Sequence, residues 1–316
     1  MNKLIGNTPF IKINYKYKGK IKEIYTKLEY YNLTGSIKDR MVDYVINKEI
    51  QNGNLEKGTS IIEATSGNTG ISLAALGAKY KMNVYIFMPN WVSIERVKLM
   101  KQFGANVKLF SKEEGGFKKC INEAKILANK EKGFLLNQFS NPLNIEAHYE
   151  KTGKEIVNSL KNIGCFVSGI GSGGTIMGVG KRIKECNQSL VVAIEPDTMA
   201  ILSNGNISSH KIEGIGDDFI PELVDRNFID KVITINDEDA INMSRKLAKE
   251  LGLGVGISSG ANMLGAILEK ENINNNVVTI FPDDNKKYLT TSLSDEINNN
   301  ENFISNQIEL LNYEII

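Results

Sequence analysis

The sequence predicts two α/β domains, each a mostly parallel sheet flanked by helices. Short apolar runs rich in Val and Ile alternate with helix-length segments, beginning with SIIEA and GISLAALGAKY between residues 60 and 80. The same alternation returns after residue 160 with GCFVSGI and TIMGVGKRIKEC. Alternating strands and helices are typical of parallel sheets covered on both faces. A chain of 316 residues is long enough for two cores of ordinary size.

The expected boundary lies near residue 145, in the stretch QFSNPLNIEAHYEKTGKEIV. This stretch has turn residues first and an amphipathic helix pattern afterwards. Residues 1–145 would form an N-terminal α/β domain and residues 146–316 a C-terminal one. Pairing of the earliest strands with the sheet of the other domain is left open.

Composition narrows the possible partners. The chain has 38 basic and 37 acidic side chains, a formal net charge of +1, and 41% hydrophobic residues. This balance gives no field that would recruit nucleic acid or an anionic membrane. The N-terminal MNKLIGNTPF does not resemble a signal peptide, and no run of about eighteen apolar residues occurs. We therefore expect a cytoplasmic protein with small-molecule partners. The three cysteines are widely spaced, so we expect no metal site.

The first segment with chemical potential is TGSIKDR, in which Lys38 follows small residues at a predicted helix start. A lysine in such a charged sequence is usually an exposed member of an ion pair. A partly desolvated lysine amine, however, attacks aldehydes and forms a Schiff base. The segment alone is compatible with both interpretations.

The second segment, SIIEATSGNTGISLA, has the form strand, turn, helix. Its turn concentrates the hydroxyl groups of Thr65, Ser66 and Thr69, the amide of Asn68 and the N–H groups of two glycines. One hydroxyl is enough to cap a helix, whereas this cluster stands at a helix N-terminus that favours anions. The turn therefore predicts a carboxylate receptor.

The third segment is the glycine-rich loop GIGSGGT, placed between an apolar strand and a helix pattern. Gly169, Gly171 and Gly174 form the pattern G-x-G-x-x-G, which lets successive N–H groups face a phosphate. Glu195 ends the next strand, where a dinucleotide fold places the acid that binds a ribose hydroxyl. An NAD-dependent dehydrogenase is therefore an alternative. A phosphate loop, a carboxylate receptor and one lysine together describe instead a pyridoxal 5'-phosphate site for amino acids.

Over nearly its whole length the chain resembles cysteine synthase and the catalytic domain of cystathionine β-synthase. The resemblance is carried by IGNTPFIKI, TGSIKDR, EATSGNTGISLA, MPNWVSIERVKLMKQFGA, NQFSNPLNIEAHYEKTGKEI, GIGSGGTIMGVG, HKIEGIGDDFIP, GLGVGISSGAN and KKYLTT. It implies a two-domain pyridoxal-phosphate enzyme of fold type II, similar to the β subunit of tryptophan synthase, and a homodimer. The activity it implies is β-replacement on O-acetyl-L-serine or L-cysteine through an aminoacrylate.

The resemblance also implies roles for individual residues. Lys38 would carry the cofactor and move protons, Asn68 would bind the ring hydroxyl, and Ser258 would face the pyridine nitrogen. The residues implied for the cofactor phosphate are Gly171, Ser172, Gly173, Gly174 and Thr175. The residues implied for the substrate carboxylate are Thr65, Ser66, Thr69 and Gln138.

The sequence departs from the cysteine synthase pattern at GIGDDFIP, where small uncharged residues are usual at the positions of Asp217 and Asp218. Hydrosulfide and hydroxide are poor leaving groups, so a nearby acid would help an enzyme that acts on cysteine or serine. We therefore hypothesise that Asp217 or Asp218 supports consumption of L-cysteine with release of sulfide and formation of lanthionine, cystathionine or serine. The alternative is a pair of solvated loop aspartates.

Overall fold

The computed structural model describes residues 3–186, 188–295 and 300–316. The strands are β1 Phe10–Tyr17, β2 Lys20–Leu28, β3 Ser60–Ala64, β4 Asn83–Pro89, β5 Asn106–Phe110, β6 Phe134–Leu135, β7 Ile163–Gly169, β8 Leu190–Pro196, β9 Lys231–Ile235, β10 Asn276–Phe281 and β11 Ile308–Ile315. The α-helices are α1 Lys38–Gln51, α2 Asn68–Tyr80, α3 Ile94–Gln102, α4 Gly116–Glu131, α5 Pro142–Ala147, α6 Lys154–Ser159, α7 Gly174–Cys186, α8 Asp237–Leu251 and α9 Ile257–Lys270. Short helical turns are Glu29–Tyr31, His148–Gly153, Arg226–Phe228, Asn285–Lys287 and Ile304–Gln307.

The described strands form two sheets. The smaller has the order β5-β4-β3-β6 and is parallel throughout. The larger has the order β11-β1-β2-β10-β7-β8-β9, in which β2, β10, β7, β8 and β9 run parallel and β1 is antiparallel to both of its neighbours. Two mostly parallel sheets flanked by helices confirm the predicted fold class.

The first two strands belong to the larger sheet. Tyr25–Leu28 of β2 runs parallel to Val278–Phe281 of β10, so the beginning of the chain pairs with a strand from its end. This is the pairing that the sequence analysis left open. The C-terminal strand β11 closes the same sheet by pairing with β1. A domain boundary near residue 145 stays a prediction.

Alternation along the strands explains why both faces of the larger sheet are covered. In β7, Cys165 and Val167 pack with α8 and α9 on one face, whereas Phe166 packs with α7 on the other. Successive side chains of a strand point to opposite faces, so an unbroken apolar run is what a doubly covered strand requires. Among the described residues, no helix combines the length and the apolar character that crossing a bilayer would need.

A buried ion network anchors the start of α1 to the larger sheet. The guanidinium of Arg40 donates to Glu29 at 2.5 and 2.9 Å and to Glu155 at 2.7 and 2.8 Å. Lys27 of β2 lies 2.7 Å from Glu155. Burial alone would raise the pKa of Glu155, but hydrogen bonds and charge from Arg40 lower it to about 2. Because Arg40 lies two residues after Lys38, this network also fixes the position of that lysine.

Arg40→Met should lower the free energy of unfolding of the cofactor-loaded protein by about 3–5 kcal/mol, because it leaves Glu29 as an uncompensated buried charge. Adding Glu29→Gln should restore part of that loss. Lys16→Met, which removes an exposed partner of Glu309 at 3.7 Å, should change stability by less than about 1 kcal/mol. Urea denaturation of the wild type and the three variants measures this, and equal losses for Arg40→Met and Lys16→Met would contradict the expectation.

Candidate active site

A cavity of about 1060 Å³ lies between the two sheets. The carboxyl ends of β3 and β7 and the first turns of α1, α2 and α9 contribute to its wall. Ligands of α/β proteins bind at this edge of the sheet. The cavity wall includes all of the predicted site residues except Gly174, which begins α7. The wall residues among them are Lys38, Thr65, Ser66, Asn68, Thr69, Gln138, Gly171, Ser172, Gly173, Thr175, Asp217, Asp218 and Ser258.

Lys38 is half-buried at the first position of α1. Removal from water lowers the pKa of its amine, while the charges of Asp217 and Asp283 partly oppose this. The neighbouring backbone is fixed to the end of β10, where the N–H of Ile37 donates to the carbonyl of Pro282 at 2.8 Å. A lowered pKa increases the unprotonated fraction of an amine, and the unprotonated amine is the form that acts as nucleophile and base.

The turn after β3, here called the carboxylate loop (Thr65–Thr69), faces the cavity beside Gln138. The hydroxyl of Thr69 donates to the side-chain carbonyl of Gln138 at 2.6 Å. The amide of Gln138 in turn donates to the carbonyl of Ala64 at 3.3 Å. Thr65, Thr69 and Gln138 are buried and Ser66 is exposed. These groups offer hydroxyl, amide and N–H donors at the start of α2, as a carboxylate requires.

A residue that the sequence analysis missed, Glu63, supports this arrangement through hydrogen bonds. Its carboxylate accepts the N–H groups of Asn137 at 2.7 Å and of Gln138 at 3.4 Å. Burial raises the pKa of Glu63 to about 8. The only signal in the sequence was an acidic residue within an apolar strand.

The phosphate loop (Gly171–Thr175) leads into the N-terminus of α7. Gly173 has a φ of +88°, which favours glycine and turns the backbone towards the cavity. The side-chain amide of Asn144 donates to the hydroxyl of Ser172 at 2.9 Å, and Thr175 lies 3.3 Å from Nε2 of His148. Asn144, which the sequence analysis also missed, lies on α5 and is buried. A loop of this kind at a helix N-terminus fits a phosphate.

The cavity wall also contains groups that can hold a ring. The amide of Asn68 donates to Asp283 at 2.8 Å, and Tyr288 donates to the same carboxylate oxygen at 2.8 Å. The carbonyl oxygen of Asn68 is buried and has no hydrogen-bond partner among the described residues. Ser258 is the second residue of α9 and is buried. The donor set therefore fits pyridoxal phosphate, with Asn68 for the ring hydroxyl and Ser258 for the ring nitrogen.

Both aspartates of GIGDDFIP reach the cavity. Asp217 is half-buried and Asp218 is exposed. Burial, together with the adjacent charge of Asp218, raises the pKa of Asp217 to about 6, and the amine of Lys38 opposes this rise. Asp217 therefore changes its protonation state near pH 6, and its charge acts on Lys38.

Glu195, the acid that suggested a dinucleotide site, has a different task. Its carboxylate accepts the N–H groups of Leu202 at 2.7 Å and of Ser203 at 3.2 Å, together with the hydroxyl of Ser203. It is buried and is absent from the cavity wall. Within the described ranges, no group of three or more His, Cys, Asp or Glu side chains could hold a metal ion.

Comparison with known proteins gives a consistent result. The family described as "Pyridoxal-phosphate dependent enzyme" matches residues 1–283. Cysteine synthase B of Campylobacter jejuni is 41% identical over 297 residues, which cover 93% of this chain and 97% of that protein. A cysteine synthase of Staphylococcus aureus is 38% identical over 298 residues, with coverage of 93% and 96%.

Solved structures agree. A hydrogen sulfide-producing enzyme from Fusobacterium nucleatum is 46% identical with a TM-score of 0.95, covering 99% of this chain and 97% of that one. An O-acetylserine dependent cystathionine β-synthase from Helicobacter pylori is 38% identical with a TM-score of 0.84, covering 92% and 96%. The predicted cofactor and the predicted class of β-replacement enzyme are confirmed. The chain belongs to the family of pyridoxal-phosphate dependent enzymes.

Proposed function

We propose that the protein consumes L-cysteine by β-replacement, releases sulfide and joins the remaining three-carbon unit to an acceptor thiol or to water. The observation that carries this proposal is Asp217, an acid of raised pKa in the cavity whose charge acts on Lys38. Lanthionine, cystathionine or serine would form according to the acceptor. A relative with 46% identity is named a hydrogen sulfide-producing enzyme, which supports this choice.

O-Acetyl-L-serine with sulfide is the second candidate. The carboxylate loop and Gln138 would bind the amino-acid part that both donors share and would not contact the leaving group. They therefore suit either donor. Relatives named cysteine synthase favour this reaction. Its nucleophile, hydrosulfide, is already an anion that needs no base, and acetate leaves without a proton, so this reaction would not need Asp217.

In the proposed reaction the carboxylate loop holds the donor with its α-carbon facing Lys38. When bound, pyridoxal phosphate supplies an electron sink that makes the α-proton acidic and the β-substituent expellable. The amine of Lys38 removes the α-proton and later returns it to the same carbon. The hydroxyl of Ser258 is neutral, so it leaves the ring nitrogen without the strong proton partner that a carboxylate would provide.

Asp217 would accept and then donate the remaining proton. When L-cysteine is the donor, the Cβ–S bond breaks and its electron pair leaves with hydrosulfide, HS⁻. An acceptor thiol or water then forms a bond to Cβ and gives its proton to the Asp217 carboxylate. That proton passes to HS⁻, so the products are the new amino acid and H₂S. A pKa of about 6 allows one carboxyl group to accept and then donate.

The remaining partners are proposals as well. We propose a cytoplasmic homodimer whose substrates are small amino acids and sulfide or a thiol, with no nucleic-acid or membrane partner. The net charge of +1 supports the absence of a polyanionic partner. The edge strand β11 supports self-association, because Leu311, Tyr313 and Ile315 expose apolar side chains there.

Lys38→Ala should lower β-replacement with either donor by at least about 1,000-fold, because the proposed reaction uses the amine of Lys38 to move the α-proton. Borohydride reduction of the loaded wild-type protein, followed by peptide mass spectrometry, should place the cofactor mass on Lys38. Lys48→Ala, an exposed lysine of the same helix, should retain both activity and label. Substantial turnover in Lys38→Ala would contradict the assignment.

Asp217→Asn should lower sulfide release from L-cysteine by about 100-fold, while synthesis of cysteine from O-acetyl-L-serine and sulfide changes by less than about tenfold. Hydrosulfide is already an anionic nucleophile, so it needs no base. In the wild type, sulfide release should fall as pH drops through about 6, because protonated Asp217 can no longer accept a proton. Asp218→Asn should move this fall to lower pH, because it removes a charge that raises the pKa of Asp217.

Rates from a sulfide electrode at several pH values test both variants, with product mass spectrometry to identify the acceptor adduct. Unchanged sulfide release from L-cysteine in Asp217→Asn would remove the proposal and leave the O-acetyl-L-serine reaction as the function.

A further inference from the structure

Arg96 is a buried cation in the cavity wall to which the mechanism above gives no role. It is the third residue of α3, on the side of the four-stranded sheet, and its side chain is only 3% exposed. A guanidinium stays charged at any ordinary pH, so a buried one requires compensating groups. Its neighbours come from both halves of the molecule, the half with the four-stranded sheet and the half with the seven-stranded sheet.

One side of Arg96 packs on the carboxylate loop. A Cβ atom at Gly67 would lie 2.6 Å from Nε of Arg96, closer than real Cβ contacts allow. The loop can therefore approach Arg96 only because residue 67 lacks a side chain. A change in the position of this arginine would therefore alter the packing of the turn that carries Thr65, Ser66 and Thr69.

The far end of Arg96 reaches the side of the seven-stranded sheet. Its guanidinium forms an ion pair with Glu213 and lies over the ring of Tyr288, with Cζ 4.7 Å from the ring centroid. Another nitrogen lies 4.0 Å from Asp283, the carboxylate that binds Asn68. Glu213 begins the segment Glu213–Asp218, here called the aspartate loop, which lines the cavity up to both aspartates.

The aspartate loop is also attached to its own half of the molecule, where Ile215 is buried in the core. The N–H of Gly216 donates to the carbonyl of Ile170 at 3.0 Å, and His210 lies 2.7 Å from the carbonyl of Gly216. Both contacts hold the middle of the loop to its own half of the molecule. The ion pair with Arg96 links the loop to the other half.

We propose that Arg96 and Glu213 are positioning residues that tie the carboxylate loop to the aspartate loop, and so set where Asp217 stands relative to the bound donor. The proposal rests on the function proposed for Asp217. An ion pair inside a cavity is screened less than one at the surface, so it can hold two segments in register. The pair acts through Asp217 and through the loop, and it touches neither reacting atom.

Glu213→Gln should lower sulfide release from L-cysteine by about 10- to 100-fold in kcat, because small misplacement of an acid–base group has effects of this size. Its KM for L-cysteine should change by less than about threefold, since the carboxylate loop keeps its donors. Synthesis from O-acetyl-L-serine and sulfide should be nearly unaffected, as it does not use Asp217. Glu213→Asp should recover part of the lost rate.

The double variant Glu213→Gln/Asp217→Asn should match Asp217→Asn alone within about twofold, because residues that act through one group are not additive. The matched control is Glu271→Gln. Glu271 pairs with Lys22 at 2.5 Å and is 23% exposed, compared with 27% for Glu213. This control should retain both reactions.

A binding experiment tests the other end of the pair without turnover. L-Alanine carries no leaving group, so calorimetric titration of the loaded protein reports donor binding without turnover. Arg96→Met should weaken the binding of L-alanine by about tenfold, because the side chain packed on Gly67 changes. Glu213→Gln should change the affinity for L-alanine by less than about threefold.

Equal losses of both reactions in Glu213→Gln, or additive losses in the double variant, would show ordinary structural support and overturn the proposal. Wild-type sulfide release in Glu213→Gln together with a slow Asp217→Asn would overturn the positioning pair but keep the proposed function. An unaffected Asp217→Asn would overturn both.

Discussion

The proposed chemistry of this protein depends on limiting the access of water to one lysine amine where the two sheets meet. Burial lowers the pKa of Lys38, and two nearby carboxylates limit how far it falls. The amine must be free to act as a base, yet the groups beside it must remain polar enough to handle a second proton. The fold meets both demands by placing Lys38 in the first turn of a helix, and Arg40 anchors the same turn to Glu29 and Glu155.

Around this amine the arrangement of helices suits anions. Helices α1, α2 and α9 all start at the cavity wall, and α7 starts directly behind the phosphate loop. Each N-terminus presents unsatisfied N–H groups and a partial positive charge. A cofactor phosphate and a substrate carboxylate can therefore be bound at two ends of one cavity with few cationic side chains. Charged side chains of the wall, notably those of Arg96, Glu213 and Asp217, could then set the geometry of the proposed reaction.

Sequence patterns predicted the parts of the site that are local. The turn Thr65–Thr69 and the loop after β7 each lie between one strand and one helix, so their donors could be recognised from consecutive residues. Glu63, Asn144, Arg96 and Glu213 could not be recognised, because each acts through a partner distant in sequence. Glu195 shows the opposite case, in which a position typical of a ribose ligand is occupied by an acid that hydrogen-bonds a nearby turn. The strand alternation predicted two parallel sheets, but nothing local showed that β2 pairs with β10.

That pairing has a consequence for how the protein is made. When β1 and β2 leave the ribosome, the parallel neighbour of β2 is still more than half the chain away, and the outer partner of β1 comes at the very end. Contacts between residues so far apart in sequence form late and slow the search for the native state. During translation the hairpin β1–β2 is an unfinished sheet edge that can recruit a wrong strand. The largest sheet can close only after β11 has been synthesised.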